Sequence, residues 1–369
     1  MVETSIVVIF FVIACLLYLV ELAWIYGGLA QYRPVLEPDF ETPFSLIIAA
    51  RDEERNLKKH LDLWLTQKHR SYEVLVVNDC SNDRTEFLLA EYQRKYPHLQ
   101  VINLQESHVF KGGKKFALTL GIKGAQFERV LFTDADCKPG SPYCLAYMNA
   151  QYNDEKCIVL GMGQYEKAPG ILNYLIRMDT IQIAIQYLGL AARSHPYMGV
   201  GRNLAYTKEL FFENGGFKKH HSIKWGDDDL FINQVANGSN TALCPIPEAS
   251  TISEAKKDIH SWIAQKRRHM STSVKYSSIT KLLISIKPIR ITAFYFFFIF
   301  GLSYEELKIS FLISAFILYL THALIFIVLK KKVGEVELAP LFPITELFLF
   351  IINLFIYISI WLKRPTKWI

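Results

Sequence analysis

Apolar positions crowd both ends of the chain and thin out between them. Residues 5–26 are apolar apart from Glu21, long enough to cross the ~30 Å hydrocarbon layer of a bilayer as a helix. The run opens on Glu3 rather than a basic residue and carries no small-residue cleavage pattern, so it reads as a retained anchor rather than a leader. Three more apolar runs stand at 289–303, 310–329 and 341–362. Just before them, 279–286 has the pattern of an amphipathic piece lying at a membrane surface. The sequence therefore predicts an anchor over 1–30, a globular domain over 40–278, and an interfacial helix with membrane segments over 279–369.

Within the middle stretch the periodicity changes repeatedly. FSLIIAA at 44–50 reads as a buried strand, and 53–66 has helical spacing through Leu57, Leu61 and Leu65. YEVLVVN at 72–78 is a second strand, and 85–96 a second helix. The runs 101–104, 114–124 and 129–133 continue the alternation. Strands alternating with helices predict an α/β domain with a mainly parallel sheet covered on both faces. Ligands of such sheets bind beyond the carboxyl ends of the strands.

Polar residues stand where that rule wants them. The first strand runs into Arg51-Asp52-Glu53-Glu54, the second into Asp79-Cys80-Ser81-Asn82-Asp83, and 129–133 into Asp134-Ala135-Asp136. Helix capping accounts for Asp83 and for Asp52. It does not account for Asp134 and Asp136, because Pro139 and Gly140 follow in place of a helix. Two residues apart on extended chain, those carboxylates point the same way and repel unless a cation or proton lies between them. A hard divalent ion, Mg²⁺ or Mn²⁺, is the natural partner and would bridge them to phosphate oxygens.

Three further motifs stand out. Phe110-Lys111-Gly112-Gly113-Lys114-Lys115 precedes a helix, and its glycines, lysines and helix N-terminus favour an anion; it is not a P-loop. Trp225-Gly226-Asp227-Asp228-Asp229 sets three acids before a helical run, where a cap explains one and a general base explains another. Gln265-Lys266-Arg267-Arg268-His269 lies on a predicted helix beside the membrane runs, with arginine forks suited to a departing diphosphate.

Composition narrows the picture. The chain of 369 residues is 51% hydrophobic, and its net charge of +6 is interspersed with acids, which leaves no nucleic-acid footprint. The six cysteines, Cys15, Cys80, Cys137, Cys144, Cys157 and Cys244, form no C-x-x-C pair, so they read as reduced, mostly buried thiols facing a cytosolic compartment rather than zinc ligands. The positive-inside tendency puts Lys330, Lys331 and Lys332 in the cytosol, the Glu305–Glu306 turn outside, and the central domain in the cytosol. Lys363, Arg364 and Lys367 would then end outside, unless the last run re-enters without crossing. The sequence leaves both readings open.

Taken in order, Asp79, Asp134-Ala135-Asp136, Asp227-Asp228 and Gln265-Lys266-Arg267-Arg268-His269 resemble the membrane-bound family 2 glycosyltransferases of the GT-A fold. That branch includes ceramide glucosyltransferases and the cellulose, hyaluronan and poly-N-acetylglucosamine synthases. AARDEE at 49–54 and GGKKFAL at 112–118 resemble further motifs of that family.

The resemblance implies an inverting transfer from a nucleotide-sugar donor, UDP by default, to a lipid, lipid-linked or saccharide acceptor. It implies that Glu53 and Asp79 hold the nucleoside, that Lys114 lies near the diphosphate, and that Asp134 contacts the nucleotide. Asp136, with Asp134, would bind the metal. Asp228, beside Asp227, would be the base. Gln265 and Arg268 would meet the diphosphate or acceptor, and Gly201, Arg202 and Asn203 would floor the acceptor pocket. His269 stands where the family has a stacking Trp, which leaves open the acceptor and polymer elongation. The expected protein is multi-pass, of the bacterial inner-membrane type, with the bilayer as partner and no nucleic acid. The alternatives are a processive polysaccharide synthase, for which four apolar segments are few, and a non-catalytic nucleotide-sugar-binding protein.

Overall fold

The computed structural model describes residues 2–106, 113–223, 225–334, 337 and 341–362. The chain forms two compact units. One comprises Met1–Tyr32, Pro169–His195 and Lys257–Ile369, the other Arg33–Ala168 and Pro196–Lys256. Residues 169–195 and 257–278, which the sequence assigns to the central domain, belong by their packing to the apolar unit. The reason is the helix Ile171–Ala192, which buries side chains on nearly every side and so lacks a polar face to present to water.

The unit of Arg33–Ala168 and Pro196–Lys256 is built on β1 (Phe44–Ala50), β2 (Tyr72–Asp79), β3 (Leu99–Leu104), β4 (Arg129–Asp134), β5 (Cys137–Pro139), β6 (Ile158–Leu160), β7 (Gly163–Tyr165), β8 (Leu204–Thr207), β9 (Thr241–Leu243) and β10 (Thr251–Ser253). Seven of them form one sheet in the order β3-β2-β1-β4-β8-β6-β9, and β5-β10-β7 form a second. β1 pairs in parallel with β2 and β4 from its first residue, Phe44 opposite both Tyr72 and Arg129. That register brings Ala50 opposite Asn78 and Ala49 opposite Asp134, so the polar residues that follow all three strands gather on one rim. β8 runs antiparallel to β4 and β6, which makes the sheet mixed.

One face is covered by the helices Glu54–Leu65, Thr85–Lys95 and Cys144–Asn149, whose Leu57, Leu61, Trp64, Leu89, Leu145 and Met148 are buried. Trp64 is among the largest wholly buried side chains, and its Nε1–H donates to Cys137 O at 2.9 Å. This ties the helix to the strand after Asp136, and truncation to Ala would cost about 3–5 kcal/mol. The other face carries Lys114–Gly124. There a Cβ on Gly121 would come within 2.6 Å of Ile47 Cγ2, so only glycine lets the helix lie this close and set Lys114 at the rim.

Among the described residues, the apolar unit has four helices long and apolar enough to cross a membrane: Ser5–Gln31, Ser278–Gly301, Lys308–Val328 and Ile344–Leu362. The amphipathic piece expected at 279–286 and the run at 289–303 are one helix, continuous through Pro288. At its middle Arg290 is buried, its Nε donating to Glu21 Oε2 at 2.8 Å and its two Nη atoms to Glu346 at 2.9 and 3.1 Å. One guanidinium fork therefore joins three helices. Lys332 caps the end of the first helix through the carbonyls of Leu29, at 2.6 Å, and Tyr32. Arg267 Nη2 donates to Ser359 O, near the end of Phe342–Leu362. Lys363, Arg364 and Lys367 lie outside the described residues.

Candidate active site

Sharp backbone turns leave the rim of the large sheet. Asp52 and Cys80 follow β1 and β2 with φ of 55° each, a conformation uncommon for residues with a Cβ. They are held by a reciprocal clasp, in which Asp52 N donates to Ser81 Oγ at 2.9 Å and Asn82 N to Asp52 Oδ1 at 2.6 Å. Asp83 accepts from Thr85 N at 2.9 Å and Glu54 N at 3.1 Å, so one carboxylate serves the first turns of two helices. The capping reading holds for Asp83 but not for Asp52, whose Oδ1 is spent on Asn82 N in the loop after β2 rather than on the first turn of the helix that follows it.

Asp79 is buried at the end of β2, and both its oxygens face Gly113 N, at 2.9 and 3.2 Å. Burial raises its carboxyl above the ordinary value, outweighing that N–H and Arg51. Glu53 precedes the helix Glu54–Leu65 and is fixed by Asn56 Nδ2 at 2.5 Å. Burial pushes its carboxyl up as well, against the pull of Asn56, and the nearby Asp136, Asp134 and Asp83 push it further. Phe110, Lys111 and Gly112 lie outside the described residues.

Asp134, Asp136 and Cys137 bring one oxygen or sulfur each within 4.8 Å of one another. Although Asp136 is exposed at the rim, the protein atoms crowding its carboxyl, then Asp134, raise it above its ordinary value, which Cys137, Arg202 and Lys114 only partly offset. Two carboxylates that crowd each other in this way want a cation. Their hard oxygens suit Mg²⁺ or Mn²⁺. The Cys137 thiol is buried, bonds Asp136 Oδ1 at 3.3 Å, and is held protonated by burial and by both acids. The donor set that fits a hard ion is therefore the two carboxylates.

Lys114 links this pair to the third acidic cluster. Its Nζ lies 2.8 Å from Asp134 Oδ1 and 3.4 Å from Asp227 Oδ2. Burial opposes its charge, but Asp134, Asp227 and Asp228 outweigh it and hold the ammonium well above its ordinary value. Asp228 accepts from Gly201 N at 2.7 Å through Oδ2 and from Asp229 N at 2.8 Å through Oδ1. Burial first, then Asp227 and Asp229, raise its carboxyl to about 7, against Lys114 and the Asp229 N–H. A carboxyl poised there is matched to taking a proton near neutral pH.

Residues 45–211 match the family described as "Glycosyl transferase family 2". The chain carries a family 2 glycosyltransferase domain. Its curated relatives include a poly-beta-1,6-N-acetyl-D-glucosamine synthase of Staphylococcus aureus (strain COL), 24% identical over 226 residues, which are 58% of this chain and 52% of that protein. Another is the dolichyl-phosphate beta-glucosyltransferase ALG5A of Trichomonas vaginalis, 35% identical over 100 residues, 25% of this chain and 30% of that one. The chain thus spans about half the length or less of these relatives. Among solved structures, the mannosyltransferase PcManGT from Pyrobaculum calidifontis, in complex with GDP-Man and Mn²⁺, aligns with a TM-score of 0.59 at 16% identity. That alignment covers 94% of this chain and 99% of that one. The fold is GT-A-like.

Around the family 2 core, the loop before β8 departs from the sequence expectation. Asn203 is wholly buried, and its amide nitrogen donates to Met162 O at 2.8 Å and Ala249 O at 2.9 Å. Both N–H groups are spent, so Asn203 braces the loop and does not floor an acceptor pocket. Arg202 donates to Gly163 O, Gln164 O and Ser253 Oγ at 3.0, 3.3 and 2.8 Å and lies 4.4 Å over the Tyr165 ring. It staples β7 and β10 together behind Asp136. Gly201 N–H meets Asp228, the expected base.

Gln265, Arg268 and His269 stand on the helix Ile259–Met270 of the apolar unit, where Lys266 between them is buried 2.5 Å from Asp179. The unit of Arg33–Ala168 and Pro196–Lys256 gathers Glu53, Asp79, Lys114, Asp134, Asp136, Asp227, Asp228 and Gly201. Sequence reasoning did not find the Gly113–Asp79 and Gly201–Asp228 bonds, because a backbone N–H leaves no residue-type signal.

Proposed function

We propose that this protein is a membrane-embedded, inverting glycosyltransferase that moves one sugar from a nucleotide-sugar donor to a lipid or lipid-linked acceptor. The observation that carries the reading is Asp228. It is a half-buried carboxyl poised near neutrality, aimed by Gly201, and linked through Asp227 and Lys114 to the Asp134/Asp136 pair. A pure binding protein needs no such group.

In this mechanism Glu53 and Asp79 hold the nucleoside and Lys114 faces the diphosphate. Asp134 and Asp136 would hold Mg²⁺ or Mn²⁺, which when bound neutralises the diphosphate and eases its departure. Asp228 accepts the proton of the acceptor hydroxyl as its oxygen bonds to the anomeric carbon. The bond from that carbon to the diphosphate breaks from the opposite side, so configuration inverts in one displacement. Arg268 and Gln265 are proposed to meet the diphosphate or acceptor. The domain is proposed to face the cytosol, the side of Lys330–Lys332.

Incubating purified protein with a panel of nucleotide sugars, with and without membrane lipid extract, tests the reading. Nucleotide release that depends on the extract is expected, and Asp228→Asn should bind donor yet transfer nothing. Unchanged transfer by that variant removes the base assignment. A processive synthase is the second reading, favoured by the likeness to the staphylococcal synthase. Long products from labelled donor would select it.

A further inference from the structure

Lys115, the second lysine of the GGKKFAL motif, has no individual role implied by the resemblance, yet its geometry is unusual. Lys115 Nζ donates to the backbone carbonyls of His220, Ile223 and Trp225, each at 2.9 Å. An ammonium has three protons to give, and here all three go to one short stretch of chain. That stretch lies between the helices Lys208–Glu213 and Asp229–Val235, where, among the described residues, only the single turn Lys218–His220 is regular. Of these three carbonyls, His220 O also accepts from Ile223 N at 3.1 Å, and the half-buried Lys115 ammonium is a donor common to all three.

Trp225 is two residues before Asp227 and three before Asp228. Consecutive lysines on the first turn of Lys114–Gly124 thus hold the acidic segment at two points. Lys114 takes the Asp227 carboxylate and Lys115 takes the backbone leading to it. We propose that Lys115 is a positioning residue, whose three-carbonyl grip on 220–225 fixes the approach of Asp228 to the reacting hydroxyl. The proposal rests on Asp228 being the base.

The charge has a second consequence. Asp228 is faced by Asp227 and Asp229 from its own segment, by Lys114 and Lys115 from the helix, by Tyr206 from β8, and by the Gly201 N–H. Removing one of the two cations leaves the carboxylate less favoured, which moves its titration upward.

The experiment compares Lys115→Met and Lys115→Arg with wild type. Amide hydrogen exchange without ligand reads the grip directly: K115M should lose protection across 218–228 while β1, β2 and β4 keep theirs. Turnover of whichever donor the nucleotide-sugar panel identifies reads its purpose. In K115M kcat should fall by about tenfold or more at unchanged donor KM, and the acid limb of the pH profile should move above that of wild type. K115R keeps the charge but not three protons converging from one atom; its limb should stay in place while kcat drops roughly threefold. Wild-type exchange at 218–228 in K115M, or wild-type kcat in either variant, overturns the proposal. So does a kcat loss with an unmoved limb and lost protection throughout the domain. If K115M yields no folded protein, K115R decides alone. If Asp228→Asn proves active, the base reading falls, and the exchange result still judges the grip.

Discussion

Gly201 donates its backbone N–H to Asp228 Oδ2 at 2.7 Å, and a Cβ on residue 201 would stand 3.1 Å from that same oxygen. The loop before β8 therefore aims the carboxylate and leaves no room beside it. Gly201→Ala is expected to turn Asp228 without disturbing the donor pocket. It should lower kcat about tenfold, or ~1.4 kcal/mol of barrier, with donor affinity unchanged by calorimetry. An alanine variant with wild-type kcat would mean that the contact is incidental.

Asp228 titrates at about 7, which gives activity and stability opposite pH slopes. Transfer requires the ionised form, so kcat should rise through about pH 7. Its folded value lies above its unfolded one, so its contribution to stability is fully present below the ordinary carboxylate range and lost as pH rises through about 7. Thermal midpoints should fall further between about pH 5.5 and about pH 8 in wild type than in Asp228→Asn. Parallel midpoint curves for the two proteins would show that the carboxyl is not perturbed.

The mutual repulsion of Asp134 and Asp136 should appear as metal dependence. Chelation is expected to stop donor turnover, and Mg²⁺ or Mn²⁺ to restore it. Mn²⁺ should also raise the thermal midpoint of wild type but not of Asp136→Asn, a readout independent of catalysis. Full turnover in excess chelator would remove the cation from the mechanism.

Arg290 balances two buried carboxylates, Glu21 and Glu346. Arg290→Met strands both and should cost about 3–5 kcal/mol, read as a lower midpoint in detergent. Adding Glu21→Gln and Glu346→Gln to that variant should recover part of the loss, because the uncompensated charges go with their partner. If the triple variant is less stable than Arg290→Met alone, the ion-pair account is wrong.

The orientation proposed from Lys330–Lys332 can be read by cysteine labelling. In intact cells an impermeant maleimide should react at Glu305→Cys and reach Lys331→Cys only after permeabilisation. The reverse pattern would put the catalytic domain on the outer side.

The chain's own order of residues disclosed a good deal. Local periodicity is enough for β1, β2 and β4 and for the helices between them, because a buried strand and a half-buried helix each write their period into consecutive residues. The parallel register then follows from the βα alternation, and with it the rim that collects Asp79 and Asp134. The same local signal gave four apolar helices, though it split Ser278–Gly301 at Pro288.

β5 to β10 are three or four residues long, too short to hold a period, so the second sheet and the antiparallel β8 were not legible. Nor was the helix Ile171–Ala192, since burial on every side erases the stripe that marks a helix. Sequence alone determined which chemical groups this protein has, that strand ends present Asp79, Asp134 and Asp136, and that helix starts present Lys114 and Asp228. Only the tertiary structure decided that Asn203 braces a loop, that Arg202 joins two strands, that Gly201 N–H bonds Asp228, and that Lys115 bonds the carbonyls of His220, Ile223 and Trp225. Those assignments depend on contacts between residues distant along the chain and on backbone groups that every residue shares, and neither is written in residue type.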